Sequence, residues 1–447
     1  MENNVYFIGI GGIGMSAIAR YYKFKGCSVS GYDRTESELT KRLVSEGIDV
    51  HYDDDITKIP RDIEDTMVVY TPAIPDDLAE LQYVRSQGYK IMKRSRMLGE
   101  ITKGQRCLAV AGTHGKTTTS TLVAHILTES GEGCSAFLGG ISKNYDTNLL
   151  MSHTPVVVAE ADEFDRSIHQ LHPSISVITA MDADHLDIYC DLEHVQEAFR
   201  IYASQVSDYL IIKKGLPISG SDTKAKIYSY SFNDAGADFH ATNMSIDSLG
   251  HYTYDLVSPF GTIEAVRVGT LGWVNVENSV AAAAECLCYG IAPEKIKAAI
   301  GTFSGAKRRL DEHINRPGLT YIDDYAHHPE ELAAAISSIR EMFPGRHLTA
   351  VFQPHLYTRT RDFADEFARV LGSVDRLILL DIYPAREEPI EGVCSEIILN
   401  AAKAAEKVLV HKADLLEYLK GIKPDVLVTF GAGDIDRLVE PIEKMLQ

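Results

Sequence analysis

Two short runs of this chain carry the residue types needed to hold phosphate. The first is "FIGIGGIGMSAIA", Phe7 to Ala19, in which Gly9, Gly11 and Gly14 satisfy G-x-G-x-x-G where an apolar strand turns into a helix. Glycines there permit a tight turn and let backbone N–H groups approach a diphosphate, while the helix N-terminus adds partial positive charge. Asp33 stands 19 residues after Gly14, about where a ribose-binding acid belongs. The plainer reading is a turn that only packs helix on strand. The second run is "AGTHGKTTTS", Ala111 to Ser120, where Gly115-Lys116-Thr117 has the form of the end of a P-loop. It offers an amide-rich turn, a lysine for β- and γ-phosphates and a hydroxyl for Mg²⁺. Val110 occupies the first glycine's place, so the pattern is incomplete, yet five hydroxyl residues from Thr117 to Thr121 argue against a chance match. A dehydrogenase needs only the first loop and a plain ATPase only the second. Together they predict two phosphorylated ligands.

Acidic and cationic groups gather at other strand ends. "VVVAEADE" puts Glu160 and Asp162 just past a buried strand, where an acidic Mg²⁺ ligand of a P-loop enzyme belongs. "MDADHLDIY" ends the next strand with Asp182, Asp184, His185 and Asp187, a mainly oxygen donor set that suits Mg²⁺; the alternative is a solvated acidic loop. Asn275 and Asn278 are three apart, hence on one helical face, and suit either an adenine edge or helix capping. Lys307, Arg308 and Arg309 read as a basic linker or as the source of an arginine that reaches a transferring phosphoryl group. "YIDDYAHHPEE" supplies Asp323, Asp324, His327 and His328 before Pro329 opens a helix, and "FQPHLYTRTRD" supplies His355, Tyr357, Arg359 and Arg361. Singly these histidines read as structural. Two such strand ends together suit a small anionic or zwitterionic substrate.

The elements that must position these groups alternate strand and helix nearly throughout, which predicts α/β layers around largely parallel sheets. Residues 238–271 break that rhythm with apolar–polar alternation and Gly and Pro turns, predicting antiparallel hairpins inserted on the second sheet. Domain boundaries are expected near Lys103–Gln105 and Lys307–Arg309. At 447 residues the chain calls for two to four domains. A net charge of −19 argues against a nucleic-acid partner, which would require a basic face. The N-terminus lacks a basic n-region and no run reaches 18 apolar residues, so neither a signal peptide nor a membrane span is expected. Seven cysteines without a C-x-x-C pair predict buried reduced thiols and no zinc site.

With these pieces in order the chain resembles the Mur ligases over its whole length: "GIGGIGMSAIA", "GTHGKTTT", "EADE", "DHLD", "VNVEN", "RRLDE", "DDYAHHPEE", "FQPHLYTRT" and "GAGDI" occur in family order. The resemblance implies three α/β domains: a Rossmann-like UDP-sugar domain over 1–104, a central P-loop ATPase-type domain with the antiparallel insertion over 105–307, and a C-terminal Rossmann-like amino-acid domain over 308–447. The implied reaction joins L-alanine to the lactyl carboxylate of UDP-N-acetylmuramate through an acyl phosphate, with ATP as co-substrate and Mg²⁺ or Mn²⁺ as cofactor, an early cytoplasmic step of peptidoglycan synthesis. It implies a monomer or homodimer with no nucleic-acid or membrane partner. Gly9, Gly11, Gly12, Ile13, Gly14, Met15, Asp33 and Thr71 then bind the UDP-sugar. Gly112, Thr113, His114, Gly115, Lys116, Thr117, Thr118, Asn275 and Asn278 bind ATP, with Arg309 and Asp324 completing that site from the third domain, which is expected to swing inward. Thr117, Glu160 and His185 hold the metal. His328, His355 and Arg359 form the alanine pocket, with His328 as candidate base. Lys116, Glu160, His185, Arg309, Asp324 and His328 are thus the candidate catalytic residues.

Two departures from the family pattern stand out: Leu356 follows "QPH" where arginine is frequent, and Val274, after Trp273, precedes the first asparagine where histidine is frequent. No lysine occurs between Lys143 and Lys213, so the carbamylated lysine of some sibling ligases is not expected. The alternatives are a ligase that returns a whole peptide to UDP-N-acetylmuramate, a folylpolyglutamate-type ligase, an NAD-dependent dehydrogenase and a non-catalytic UDP-sugar sensor.

Overall fold

The computed structural model describes residues 3–182, 189, 191–385 and 387–447. Its first sheet is wholly parallel, in the order Asp49–His51, Ser28–Tyr32, Asn4–Ile8, Thr66–Tyr70, Lys90–Lys93. The chain builds outward on one side of Asn4–Ile8 and then on the other. That leaves a crevice between the carboxyl ends of Asn4–Ile8 and Thr66–Tyr70, the usual ligand position in such sheets. The first glycine loop leaves Asn4–Ile8 and enters helix Ile13–Phe24.

The second sheet has ten strands: Gly261–Leu271, His251–Ser258, Phe239–Ile246, Lys226–Ser231, Tyr209–Lys213, Ile175–Ile178, Arg106–Ala111, Val156–Ala161, Ser135–Ser142, Thr147–Leu150. The strand feeding the second phosphate loop, Arg106–Ala111, lies between the two strands that end in acidic runs and is parallel to both. All three are almost entirely apolar, as a sheet covered on both faces requires. The stretch read as inserted hairpins forms the three strands at one edge, and His251–Ser258 alternates buried and half-buried residues as its sequence suggested.

Two compact units partition the chain: residues 1–240, 256–263 and 278–300, and residues 241–255, 264–277 and 301–447. In the first unit one apolar cluster runs from Val5, Phe7 and Ile18 of the first sheet region to Phe137, Val157, Ile178 and Phe199 of the second. Tyr21 packs on Phe137 with ring centroids 5.4 Å apart. Arg20 donates to Asn148 Oδ1 at 2.7 Å, and Asn148 Nδ2 donates to the Ile13 carbonyl at 2.6 Å. The helix behind the first glycine loop is thereby stitched to the edge strand Thr147–Leu150.

The second unit contains a six-stranded sheet ordered Asp311–Arg316, Leu319–Asp324, Val426–Phe430, Leu348–Phe352, Arg376–Leu379, Glu406–Leu409, parallel except for its first strand. Its core gathers Tyr321, Val351, Ile378, Leu427 and Ile442. Pro329 opens helix Pro329–Met342 as its fixed φ predicts, and the Glu331 carboxylate accepts the His327 and His328 N–H groups before the first turn. Cys27, Cys107, Cys134, Cys286 and Cys288 are buried free thiols; Cys394 corrects the expectation for the whole set, because it is exposed. Among the described residues no helix is long and apolar enough to cross a membrane.

Candidate functional site

The first loop closes on its own acid. Gly11 N–H donates to Asp33 Oδ2 at 2.7 Å, and Thr35 N–H donates to Oδ1 at 3.1 Å. A Cβ on Gly11 would sit 2.8 Å from that carboxylate, so only glycine allows the contact. Gly9 lies against Thr71 and Ile74. Gly12 caps helix Ile13–Phe24 without a side-chain bond, and no acidic residue stands in its first turn, so the positive helix end is uncompensated from within the helix. Ile13 is exposed, whereas the Met15 side chain is 1% exposed and belongs to the core, leaving only its main chain for a ligand. Sequence reasoning missed Arg94, whose guanidinium lies over Gly14: a Cβ there would come 2.8 Å from Nη1. Arg94 Nη2 also meets Asp162 Oδ2 at 3.3 Å. The basic run "KRSR", Lys93 to Arg96, was the available signal.

The second loop is shaped by two glycines in the left-handed half of backbone space, Gly112 (φ 131°) and Gly115 (φ 80°). At Gly112 a Cβ would strike Thr179, whose hydroxyl donates to the His114 carbonyl. Gly115 starts helix Lys116–Glu129 and lies against Asn278, whose Oδ1 accepts the Thr119 hydroxyl at 3.3 Å. Thr113 donates to Asp182 Oδ2 at 3.3 Å, and His114 Nε2 lies 3.6 Å from the same oxygen. Thr118 is buried in the first turn.

Lys116 Nζ donates to the Gly112 carbonyl at 2.7 Å and to Glu163 Oε1 and Oε2 at 2.9 and 2.8 Å. Burial works against the charged ammonium, but Glu163, Asp162 and Glu160 outweigh it and hold Lys116 above its ordinary value. Glu160 faces the helix start: Thr117 Oγ1 donates to Oε1 at 3.2 Å, Ser120 Oγ stands 3.5 Å from Oε2, and Gly139 N–H donates to Oε2 at 3.1 Å. A carboxylate beside a hydroxyl is a hard oxygen set that fits Mg²⁺. His185, the third metal residue implied by the resemblance, lies outside the described residues, as do Asp184 and Asp187. The acidic run therefore reaches both loops of this unit: Asp162 touches the arginine over the first, and Glu163 the lysine of the second.

In the second unit the two arginines of "RRLDE" divide their work. Arg308 is structural, donating to Asp323 Oδ2 at 2.9 Å and to the Gly431 carbonyl at 2.5 Å. Arg309 lies over the Tyr325 ring, 5.0 Å from its centroid. Asp324 accepts the Leu310 and Ala326 N–H groups at 2.6 and 2.8 Å; burial pushes its carboxyl up to about 6, with Arg309 pulling the other way. Asn275 Nδ2 donates to the Leu271 carbonyl at 2.7 Å, a local bond at the start of helix Trp273–Tyr289. His355 stacks on Tyr383 at 5.8 Å, stands 6.0 Å from the His327 ring, and its Nδ1 is 3.4 Å from Arg359 Nη1. His328 packs edge-on to Phe363. Burial lowers His327 below its ordinary value. Leu356 starts helix Tyr357–Asp362 and its N–H bonds the Tyr383 carbonyl. Of the expected pocket residues His328, His355 and Arg359, the structure brings His355 and Arg359 together and adds His327 and Tyr383 beside them, while His328 packs on Phe363; Tyr383 is marked by no local pattern.

Three family models match the chain in succession: Mur ligase family, catalytic domain, over residues 4–106; Mur ligase middle domain over 110–286; and Mur ligase, glutamate ligase domain, over 308–433. A Porphyromonas gingivalis protein named UDP-N-acetylmuramate–L-alanine ligase is 49% identical over 453 residues, covering 99% of each chain. A protein of that name from Parabacteroides distasonis is 50% identical over 449 residues, covering 99% of this chain and 97% of the other. The crystal structure of the UDP-N-acetylmuramate–alanine ligase of Thermotoga maritima superposes with a TM-score of 0.82 at 25% identity, covering 99% of this chain and 98% of that one. Three α/β domains in series, the architecture the motifs implied, are thereby established.

Proposed function

The chain belongs to the Mur ligase family, and on that premise we propose that it joins L-alanine to the lactyl carboxylate of UDP-N-acetylmuramate. ATP is converted to ADP and phosphate, in a cytoplasmic step of peptidoglycan synthesis. The observation that carries this reading is the pairing of two phosphate loops on one unit, with Asp162 and Glu163 of one strand end touching the cation of each. Residues 1–104 take the UDP-sugar, 105–307 the ATP and 308–447 the amino acid.

The first step brings an anion toward a polyanion, since the muramyl carboxylate attacks the γ-phosphate. Lys116 and the loop amides neutralise and orient the triphosphate. Positioning of this kind is worth about 7–11 kcal/mol at best. Glu160 and the Thr117 hydroxyl, with His185 by resemblance, would hold Mg²⁺, which supplies further charge neutralisation on the phosphates. Arg309 and Asp324 serve the ATP reaction from the C-terminal part of the chain. The acyl phosphate is then attacked by the neutral alanine amine, and the tetrahedral oxyanion needs N–H or cationic donors. His355 and Arg359 receive the amino acid, and His328 takes the ammonium proton.

ADP release in the presence of UDP-N-acetylmuramate and L-alanine, glycine, L-serine or an L-alanyl tripeptide tests the assignment. L-Alanine is expected to give the highest kcat/KM. A preference for the tripeptide would instead identify a peptide-returning ligase. Protection from thermal unfolding by NAD but not by the UDP-sugar would identify a dehydrogenase.

A further inference from the structure

Groups of the chain itself fully engage Lys116. Its ammonium has three N–H donors, and three acceptors stand within 2.9 Å: the Gly112 carbonyl and both oxygens of Glu163. The Glu163 side chain is 2% exposed and that of Lys116 13%, so the pair is shielded from water and salt. A phosphate oxygen that approaches Lys116 must take over one of these bonds. The Gly112 carbonyl is main chain within the loop and does not rotate away. The Glu163 carboxylate sits on a side chain whose backbone is anchored separately, because the Tyr189 hydroxyl donates to the Glu163 carbonyl at 2.5 Å. Glu163 can therefore let go while its peptide stays in place. It also has reason to, since a carboxylate beside the lysine repels an incoming polyphosphate.

We propose that Glu163 is a positioning residue that acts through Lys116: it holds the ammonium in place and yields it to the β- and γ-phosphates. The inference rests on the reading of Lys116 as a triphosphate ligand. It adds that triphosphate binding is an exchange of one anion for another rather than the filling of an open cationic site. Nucleotides that reach Lys116 must displace Glu163, whereas a nucleoside monophosphate need not.

Binding of ATP and of AMP, measured by calorimetry without UDP-sugar, tests it in the parent, Glu163→Gln, Glu163→Asp, Lys116→Ala and the double variant Glu163→Gln/Lys116→Ala. Glu163→Gln is expected to bind ATP about tenfold more tightly and AMP as the parent does. Its KM for ATP falls while its KM for UDP-N-acetylmuramate stays unchanged. Glu163→Asp, too short to hold the ammonium with both oxygens, moves the same way by a smaller factor and keeps the inference testable should the glutamine variant misfold. In the Lys116→Ala background Glu163→Gln is expected to give a clearly smaller gain, because only the direct repulsion between carboxylate and polyphosphate then remains. ATP affinity unchanged or weakened in both Glu163 variants overturns the proposal. So does an equal gain in the Lys116→Ala background, which would reveal plain charge repulsion. ATP affinity unaffected by Lys116→Ala overturns the underlying reading instead.

Discussion

Individual side chains here are set by what burial does to their charge. Lys116 stays an ammonium because carboxylates surround it, and among the described residues its hydrogen bonds go to Gly112 and Glu163, not to the first glycine loop. Lys116→Ala is therefore expected to lower kcat by on the order of 10²–10³ or more while the dissociation constant for UDP-N-acetylmuramate stays within about twofold. Loss of both together, in a calorimetric titration beside the turnover assay, would mean that the two loops form one site. Asp324 shows the opposite balance. Burial raises its carboxyl to about 6 from an ordinary 3.8, despite Arg309. The folded chain thus holds that proton more tightly than the unfolded chain does, and stability is lost as pH rises through the window between those values. The loss amounts to about 3 kcal/mol at most. Asp324→Asn removes the titration, so its thermal midpoint without ligands should gain on the parent's between pH 4 and pH 7. A variant that falls further behind with rising pH would show instead that the carboxylate is stabilised as an anion.

Elements decide where glycine is indispensable. At Gly112 an added Cβ would overlap the Thr179 hydroxyl and come 2.8 Å from the Ala180 nitrogen, all at a φ of 131°. Gly112→Ala should destabilise the junction of strands Arg106–Ala111 and Ile175–Ile178 by about 1–3 kcal/mol from backbone strain alone and abolish ATP binding. At Gly14 the same Cβ meets only the end of the Arg94 side chain, which can turn away. Gly14→Ala should melt near the parent and weaken UDP-sugar binding. Equal melting losses in the two variants would refute this distinction. The contrast also marks what the sequence could tell. Both loops were legible because glycine, lysine and hydroxyl chemistry is local to one strand–helix junction, and the edge strands over 239–271 were legible through their period of two. Arg94 and Glu163 were not, because their partners lie 68 and 47 residues away, and only the fold joins them. The asparagine spacing placed both residues on one helix, yet Asn275 bonds a nearby carbonyl while Asn278 meets the P-loop helix. The exposure of Cys394 likewise follows from tertiary packing, which cysteine spacing does not encode.

Across the whole molecule, the residues proposed for the UDP-sugar fall in one compact unit. Every contact described around the first glycine loop, through Asp33, Thr71, Arg94 and Asp162, lies within the first compact unit, and residues 301–447 belong to a unit with its own apolar cluster. A ligand that binds only the folded form stabilises the part it touches by about 2.7 kcal/mol at a hundredfold excess over its dissociation constant. UDP-N-acetylmuramate alone should therefore slow hydrogen exchange in peptides from residues 3–182, around Gly9–Gly14, Asp33, Thr71 and Arg94, and leave peptides from 319–447 at their ligand-free rates. A chain that divides into two compact units does not guarantee a single unfolding step, so the calorimetric trace should resolve two transitions, with only the one belonging to the first unit moved upward by the UDP-sugar. Protection that spreads equally over 319–447, or one transition that shifts as a whole, would show that the C-terminal sheet is energetically coupled to the first glycine loop before ATP and L-alanine arrive.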